Sequence, residues 1–206
     1  MNDFETDQER FWAGDFGDDY VDRSQGVHHI ASRTAMWSRI LRSCGPIGSA
    51  TEFGANIGLN LRALRNLLPE AKLTGVEINA KAAQILRDEG TIEVLEGSLF
   101  DTAPSIPADL GFTSGVLIHI NPDRLGTAYD RLAQGSRRYV AMCEYYNPAP
   151  TEVTYRGHSE QLYKRDFAGE FLDAHPDFEL RDYGFVYHRD PHFPVDDSTW
   201  FLMERR

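Results

Sequence analysis

The sequence predicts an α/β fold: a seven-stranded, mostly parallel sheet with an antiparallel last strand and helices on both faces. Three observations predict it. From residue 49 onward short apolar runs alternate with amphipathic stretches, and a glycine-rich turn follows the first run and opens a helix. The last two apolar runs are joined by a proline-containing loop too short for another helical crossover, so they are expected to pair antiparallel. With 206 residues, 41% of them hydrophobic, the chain has material for one domain with a sizeable core. Its 21 Lys+Arg against 32 Asp+Glu leave a net charge of −11, which repels phosphate backbones and argues against nucleic acid as a partner. Cys44 and Cys143 are the only cysteines and form no CxxC pair, so neither a disulfide scaffold nor a structural zinc site is expected. No run approaches the ~20 apolar residues of a membrane span, and the N-terminus is not signal-like. The expectation is a cytoplasmic monomer or homodimer with no membrane partner.

The first thirty residues are acidic yet carry Phe4, Phe11, Trp12, Phe16 and Tyr20 among glycines and aspartates, so they are expected to fold over the body as a lid or cap. Trp37, Ile40, Leu41 and Cys44 recur at helical spacing over 31–44, and Gly45-Pro46 stops that helix. Strands follow at Ser49–Phe53, Lys72–Ile78 and Ile92–Leu95, with helices at Leu59–Leu68 and Ala80–Asp88 between them. A fourth strand is expected over Leu110–Ile120, a helix over Arg124–Ala133 and a fifth strand over Arg138–Cys143. A Pro-, Tyr- and Gly-rich stretch then breaks the rhythm. It precedes a helix at Asp166–Ala174 and the final strands Phe178–His188 and Thr199–Glu204. Trp37, Phe171, Phe178, Trp200 and Phe201 are the expected core aromatics.

Chemistry concentrates after the first strand, in Thr51-Glu52-Phe53-Gly54-Ala55-Asn56-Ile57-Gly58. A strand-to-helix turn of this kind is where an α/β sheet binds a nucleotide. A dinucleotide fingerprint starting at Gly54 would need glycine at 56 and 59, and this chain has Asn56 and Leu59, which argues against a dehydrogenase. Glu77 closes the next strand, where a carboxylate can accept hydrogen bonds from both ribose hydroxyls.

The acid at 52 with Gly54, Asn56 and Gly58 resembles the E/D-x-G-x-G-x-G loop of class I S-adenosylmethionine-dependent methyltransferases, with Asn, the next best residue for a left-handed backbone, replacing the middle glycine. Glu96-Gly97-Ser98-Leu99-Phe100-Asp101 resembles the G-D-x-x-D segment of that family, with Ser98 where the first acid reaches the adenine amino group. Gly115-Val116-Leu117-Ile118-His119-Ile120-Asn121-Pro122-Asp123 resembles its fourth-strand segment, which ends near the transferable methyl group. The resemblance implies a Rossmann-like class I methyltransferase fold and S-adenosyl-L-methionine as methyl donor, leaving S-adenosyl-L-homocysteine. It implies donor contacts from Glu52, Gly54, Ala55, Asn56, Gly58, Glu77, Ile78, Ser98, Leu99 and Gly115. The chain then divides into a lid (1–30), a donor-binding half (31–145) and an acceptor-side segment with the final strands (146–206).

A narrower resemblance rests on Phe11 to Arg23, Glu144-Tyr145-Tyr146-Asn147-Pro148, Tyr155-Arg156-Gly157-His158 and Leu162 to Glu170. These stretches are similar to the pseudaminic acid biosynthesis-associated methylases. The implied acceptor is a small molecule. Arg156, Lys164 and Arg165 cluster in an acidic chain, and arginine matches carboxylate or phosphate with paired hydrogen bonds, so the acceptor is expected to be anionic. It would sit under Trp12, Tyr20 and Arg23 and against Tyr145, Tyr146, Tyr155, Arg156, Lys164 and Arg165.

His119, at the expected end of the fourth strand, is the candidate general base for an oxygen or nitrogen acceptor, and His188 is a second candidate. A carboxylate acceptor would need no base. His188, Asp190, His192 and Asp196 have metal-like composition, but Pro191 and Pro194 make the stretch a loop, and no metal is expected. The paired His28-His29 is read as a surface or lid feature. The competing reading is a methyltransferase-like subunit that binds the donor without catalysing transfer.

Overall fold

The computed structural model describes residues 4, 6–23, 27–153 and 162–206. Three helices lead in: α1 (Asp7–Ala13), α2 (Asp15–Arg23) and α3 (Val27–Leu41). Thr6 and Glu9 start α1 with a capping box, each side chain accepting the other's backbone N–H at 3.1 and 2.9 Å. The body is then β1 (Ser49–Phe53), α4 (Leu59–Leu67), β2 (Lys72–Glu77), α5 (Ala80–Asp88), β3 (Glu93–Glu96), β4 (Ala108–Ser114), α6 (Leu125–Gln134) and β5 (Ser136–Glu144). A two-stranded ribbon, β6 (Thr151–Glu152) with β7 (Tyr163–Lys164), precedes α7 (Phe167–Ala174), β8 (Phe178–Val186) and β9 (Ser198–Arg205).

The main sheet has seven strands in the order β3-β2-β1-β4-β5-β9-β8. The first five are parallel, and β9 runs antiparallel between β5 and β8, as the short final connection predicts. Strand order reverses between β1 and β4, so the chain leaves those two strands in opposite lateral directions and opens a crevice at their carboxyl ends.

Two apolar layers hold the sheet. On one face Trp37 and Ile40 of α3 and Leu61 and Leu64 of α4 pack against Phe112 and Leu202, with the Trp37 and Phe112 rings 4.5 Å apart edge to face. On the other, Tyr129 of α6 and Phe171 of α7 pack on Phe53, Phe178 and Met203. Trp37, Phe171, Phe178 and Trp200 are buried as expected, whereas Phe201 is only partly buried, packed between Tyr183 and Tyr146 at the margin of the layer that α6 and α7 form.

Several boundaries differ from the sequence reading. β4 stops at Ser114 rather than Ile120, because Gly115 turns left-handed (φ 68°) and donates to Cys143 O at 2.9 Å. The next amides, Val116 and Ile118, go to the Glu144 carboxylate at 3.2 and 3.4 Å, so the segment turns through a short 3-10 helix at Leu117–His119. His119 therefore stands in a turn beyond the strand. β8 ends at Val186, before His188, and α3 begins at Val27, which draws His28 and His29 into its first turn.

Phe171 is fully buried among Tyr129, His175 and Phe178. Phe171→Ala should lower unfolding free energy by about 3–5 kcal/mol in a denaturant titration; a loss below ~1 kcal/mol would show that α7 is not part of the core.

Candidate functional site

The carboxyl ends of β1, β2 and β4, with α1 to α3 above them, enclose a cavity of about 720 Å³. Its floor is the glycine-rich loop. Gly54 and Ala55 both donate to Val76 O, at 2.8 and 3.0 Å, which pins the loop to β2. Asn56 takes the left-handed conformation (φ 47°), and its Oδ1 accepts the Ile57 N–H at 2.6 Å, the local bond that makes Asn tolerable there. A Cβ at Gly54 would lie 2.5 Å from Val116 Cγ2, and one at Gly58 would lie 2.3 Å from Leu86 Cδ1. Both glycines also have positive φ, so their absent side chains are required twice over.

Two buried acids face this loop. Glu77 ends β2, and its carboxylate accepts the Asn56 N–H at 2.6 Å and the Asn79 N–H at 2.7 Å, with a further bond from Ile78. Burial pushes its pKa up while the three amides pull it back. Glu52, in β1, accepts the Asn60 side-chain N–H at 2.7 Å, and Asn60 in turn accepts from Trp37 Nε1 at 3.2 Å. The other Glu52 oxygen, Oε2, is buried with no hydrogen-bond partner among the described residues. Burial drives Glu52 up to about 8; the Asn60 bond and the positive field of Arg33 oppose that rise, and the Glu77 charge adds to it. Glu52, Glu77 and Arg33 all line the cavity.

Ala55, Asn56, Ile78, Ser98, Leu99 and Gly115 line the same cavity, beside Glu52, Gly54 and Glu77. Gly58 stands just behind it, where it lets α4 approach α5. Ser98 Oγ accepts the Phe100 N–H at 3.2 Å and so stiffens its own turn.

The roof is α1 and α2. Trp12, Tyr20 and Arg23 line the cavity from above, and the Trp12 ring lies 4.6 Å from the His119 ring. Trp12 Nε1 is buried with no partner among the described residues. Tyr145 lines the far wall, and Lys164, which is not part of the cavity lining, is placed 5.3 Å over its ring. Tyr146 and Arg165 fall outside the cavity wall: Tyr146 leans on Phe201, and Arg165 bonds Glu170 at 2.8 Å, an ordinary ion pair. Tyr155 and Arg156 lie outside the described residues. His188 reaches the cavity, its Nδ1 2.8 Å from Asp197 Oδ1. Asp190 Oδ1 accepts the backbone N–H groups of His192 and Phe193, at 2.9 and 2.8 Å.

Two site residues, Arg33 and Glu144, were given no role by the sequence reading. Arg33 lines the cavity from α3 together with His28 and His29, the pair read as a surface or lid feature. Glu144 is buried at the end of β5, where its carboxylate gathers the amides of Val116, Leu117 and Ile118 and so shapes the turn that presents His119; burial raises it to about 7.

No protein-family model and no curated protein sequence matches the chain. Solved structures do. A magnesium protoporphyrin IX methyltransferase from Synechocystis PCC 6803, solved with bound SAM, aligns with TM-score 0.69 at 15% identity over 100% of both chains. The mitomycin 7-O-methyltransferase MmcR aligns with TM-score 0.69 at 13% identity over 98% of this chain, which spans only 61% of that one. The sugar N-methyltransferase KedS8 from Streptoalloteichus aligns with TM-score 0.66 at 14% identity over 94% of each. The likeness shows a shared Rossmann-like methyltransferase fold.

Glu52 and Glu144 bind more protons folded than unfolded between pH ~5 and ~8, so the ligand-free protein should lose stability as pH rises through that window. The thermal midpoint should fall from pH 5 to pH 8, and Glu52→Gln should flatten the fall. A midpoint that rises with pH would contradict the burial of these carboxylates.

Proposed function

We propose that this chain moves a methyl group from S-adenosylmethionine to an oxygen or nitrogen of a small anionic acceptor, a carboxylate, sugar acid or nucleotide-sugar-like metabolite. The observation that carries the reading is the pair of buried carboxylates in one cavity, Glu77 tied to the loop amides and Glu52 with an oxygen left unsatisfied. A buried oxygen without a donor is costly in a purely structural acid. A ligand that brings N–H or O–H groups to both acids removes that cost.

The residues present fit such a donor. Glu77 keeps a lone pair for a ribose hydroxyl after accepting the three amides. Ile78, Ser98 and Leu99 form the edge where adenine would rest. Glu52, which an arriving ammonium would draw into its charged form, and the Arg33 guanidinium share one wall, the pair that an amino-acid head with ammonium and carboxylate requires. Gly54 and Gly115 leave room for the backbone to approach the sulfonium. When bound, S-adenosylmethionine supplies an electrophilic methyl carbon on that sulfonium.

The chain's own work is then positioning. Holding an acceptor atom in line with the methyl is the larger part of catalysis for such a displacement. Trp12 and Tyr20 cover the cavity against water, and Trp12 Nε1 offers an unused donor to the acceptor. Arg23 at the roof and Lys164 over the Tyr145 ring supply positive charge in an acidic protein. His119, under Trp12, is the proposed proton acceptor for a hydroxyl or amine. The likeness of the chain to the pseudaminic acid-associated methylases, and of its fold to that of a sugar N-methyltransferase, supports a sugar-like acceptor.

Incubating the protein with S-adenosylmethionine carrying a tritiated methyl group and a small-molecule extract tests this reading. Label should enter compounds retained on an anion exchanger, and Glu77→Ala should reduce incorporation by at least ~100-fold, the scale of losing a buried charged hydrogen-bond acceptor. Label confined to precipitated protein or nucleic acid, or no incorporation by folded wild type, would overturn it.

A further inference from the structure

Asn79 sits between the donor floor and the roof. Its backbone N–H donates to Glu77 Oε1 at 2.7 Å, and its Oδ1 accepts the Ala82 N–H at 2.9 Å, capping α5. Its remaining group, the side-chain NH2, reaches up: Nδ2 donates to Asp18 Oδ1 at 2.9 Å and to Trp12 O at 3.2 Å. Its carbonyl accepts the Ala83 N–H, so all of its hydrogen-bonding groups are committed, to four different elements, β2, α5, α1 and α2, and the residue is buried.

Besides the Trp12–His119 ring contact, two attachments join the described part of the roof to the body near α5. At one, Val21 packs among Ile57, Leu59 and Ala82, an apolar contact on the cavity wall. At the other, the corner between α1 and α2 is built around Asn79: a Cβ on Gly17 would come within 1.9 Å of Trp12 O and 2.8 Å of Asn79 Nδ2, so only glycine lets the corner close on the amide. Lys81, two residues along α5, adds an exposed bond to Asp22 at 2.7 Å. The polar attachment lies two covalent residues from the carboxylate proposed to take the ribose.

We propose that Asn79 is a positioning residue that couples donor binding at Glu77 to closure of the α1–α2 roof, and thereby holds Trp12 and Tyr20 over the acceptor more firmly once the donor is in place. The proposal rests on the methyl-donor reading. A ribose hydroxyl on Glu77 stabilises its charged form, which strengthens the bond from the Asn79 amide and fixes the Asn79 side chain that grips the roof. Linkage makes the coupling reciprocal: a roof that cannot latch must weaken the donor by the factor that the donor would have tightened the roof.

Asn79→Asp separates the roles. The carboxylate still caps α5 and the backbone N–H remains, but the donor to Trp12 O and Asp18 is lost and two acids face each other. Asp18→Asn in that background returns an N–H donor across the same gap. S-adenosylhomocysteine affinity by calorimetry and amide exchange of residues 7–23 by mass spectrometry read both sides of the coupling. In wild type the nucleoside should slow exchange of 7–23. Asn79→Asp should weaken its binding by about five-fold or more and abolish that slowing, and Asn79→Asp with Asp18→Asn should recover most of both. Unchanged affinity and protection in Asn79→Asp, or a double variant no better than the single, overturns the latch. If wild type does not bind S-adenosylhomocysteine, the methyl-donor reading fails separately. The latch is then decided without ligand, because Asn79→Asp must still speed exchange of 7–23, and unchanged exchange overturns it.

Discussion

The structure depends on one buried carboxylate held by backbone. Glu77 is nearly inaccessible to water at the end of a central strand, where an isolated charge would be strongly disfavoured. The amides of Asn56, Ile78 and Asn79 converge on it, and those amides belong to the glycine loop and the start of α5. One side chain therefore fixes the distance between the loop after β1 and the helix after β2. The left-handed turn at Asn56, the close contact of Gly58 with Leu86 and the cap on α5 all follow from that distance.

A second carboxylate does the same at the neighbouring crossing. Glu144 gathers three amides of the turn after β4, so the chain bends at Gly115 and carries His119 away from the strand axis toward Trp12. Glu52 differs from both because one of its oxygens is unsatisfied. Two acids that organise the protein stand beside one that waits for a partner, and Arg33 supplies the opposite charge nearby.

Much of this was legible in the residues. The rhythm of apolar runs yielded seven strands in the right places, and the short Pro-containing connection predicted the antiparallel end of the sheet. The spacing of Gly54, Asn56 and Gly58 predicted a loop whose left-handed positions are those observed. What the pattern could not show was where a strand is stopped from outside. The run from Leu110 to Ile120 reads as continuous because the group that bends it, Glu144, is about thirty residues away in sequence. Arg33 and Asn79 were hidden for another reason: each belongs to a helix or its cap, where a polar residue has an ordinary explanation. A Glu-x-Asn ahead of a helix does signal a cap, and that signal could have placed Asn79 beside Glu77. Tyr146 and Arg165 show the converse, since clustering along the chain did not become clustering around the cavity.

The claim at the centre of this account is that Glu77 and the loop around it receive the nucleoside of a methyl donor. Calorimetric titration of the purified protein with S-adenosylhomocysteine, alongside NAD and with Glu77→Ala as control, tests it most directly. The account predicts a Kd on the order of micromolar for S-adenosylhomocysteine, no heat with NAD, and binding lost in Glu77→Ala. Equal affinity in the variant, or binding of NAD alone, would contradict it.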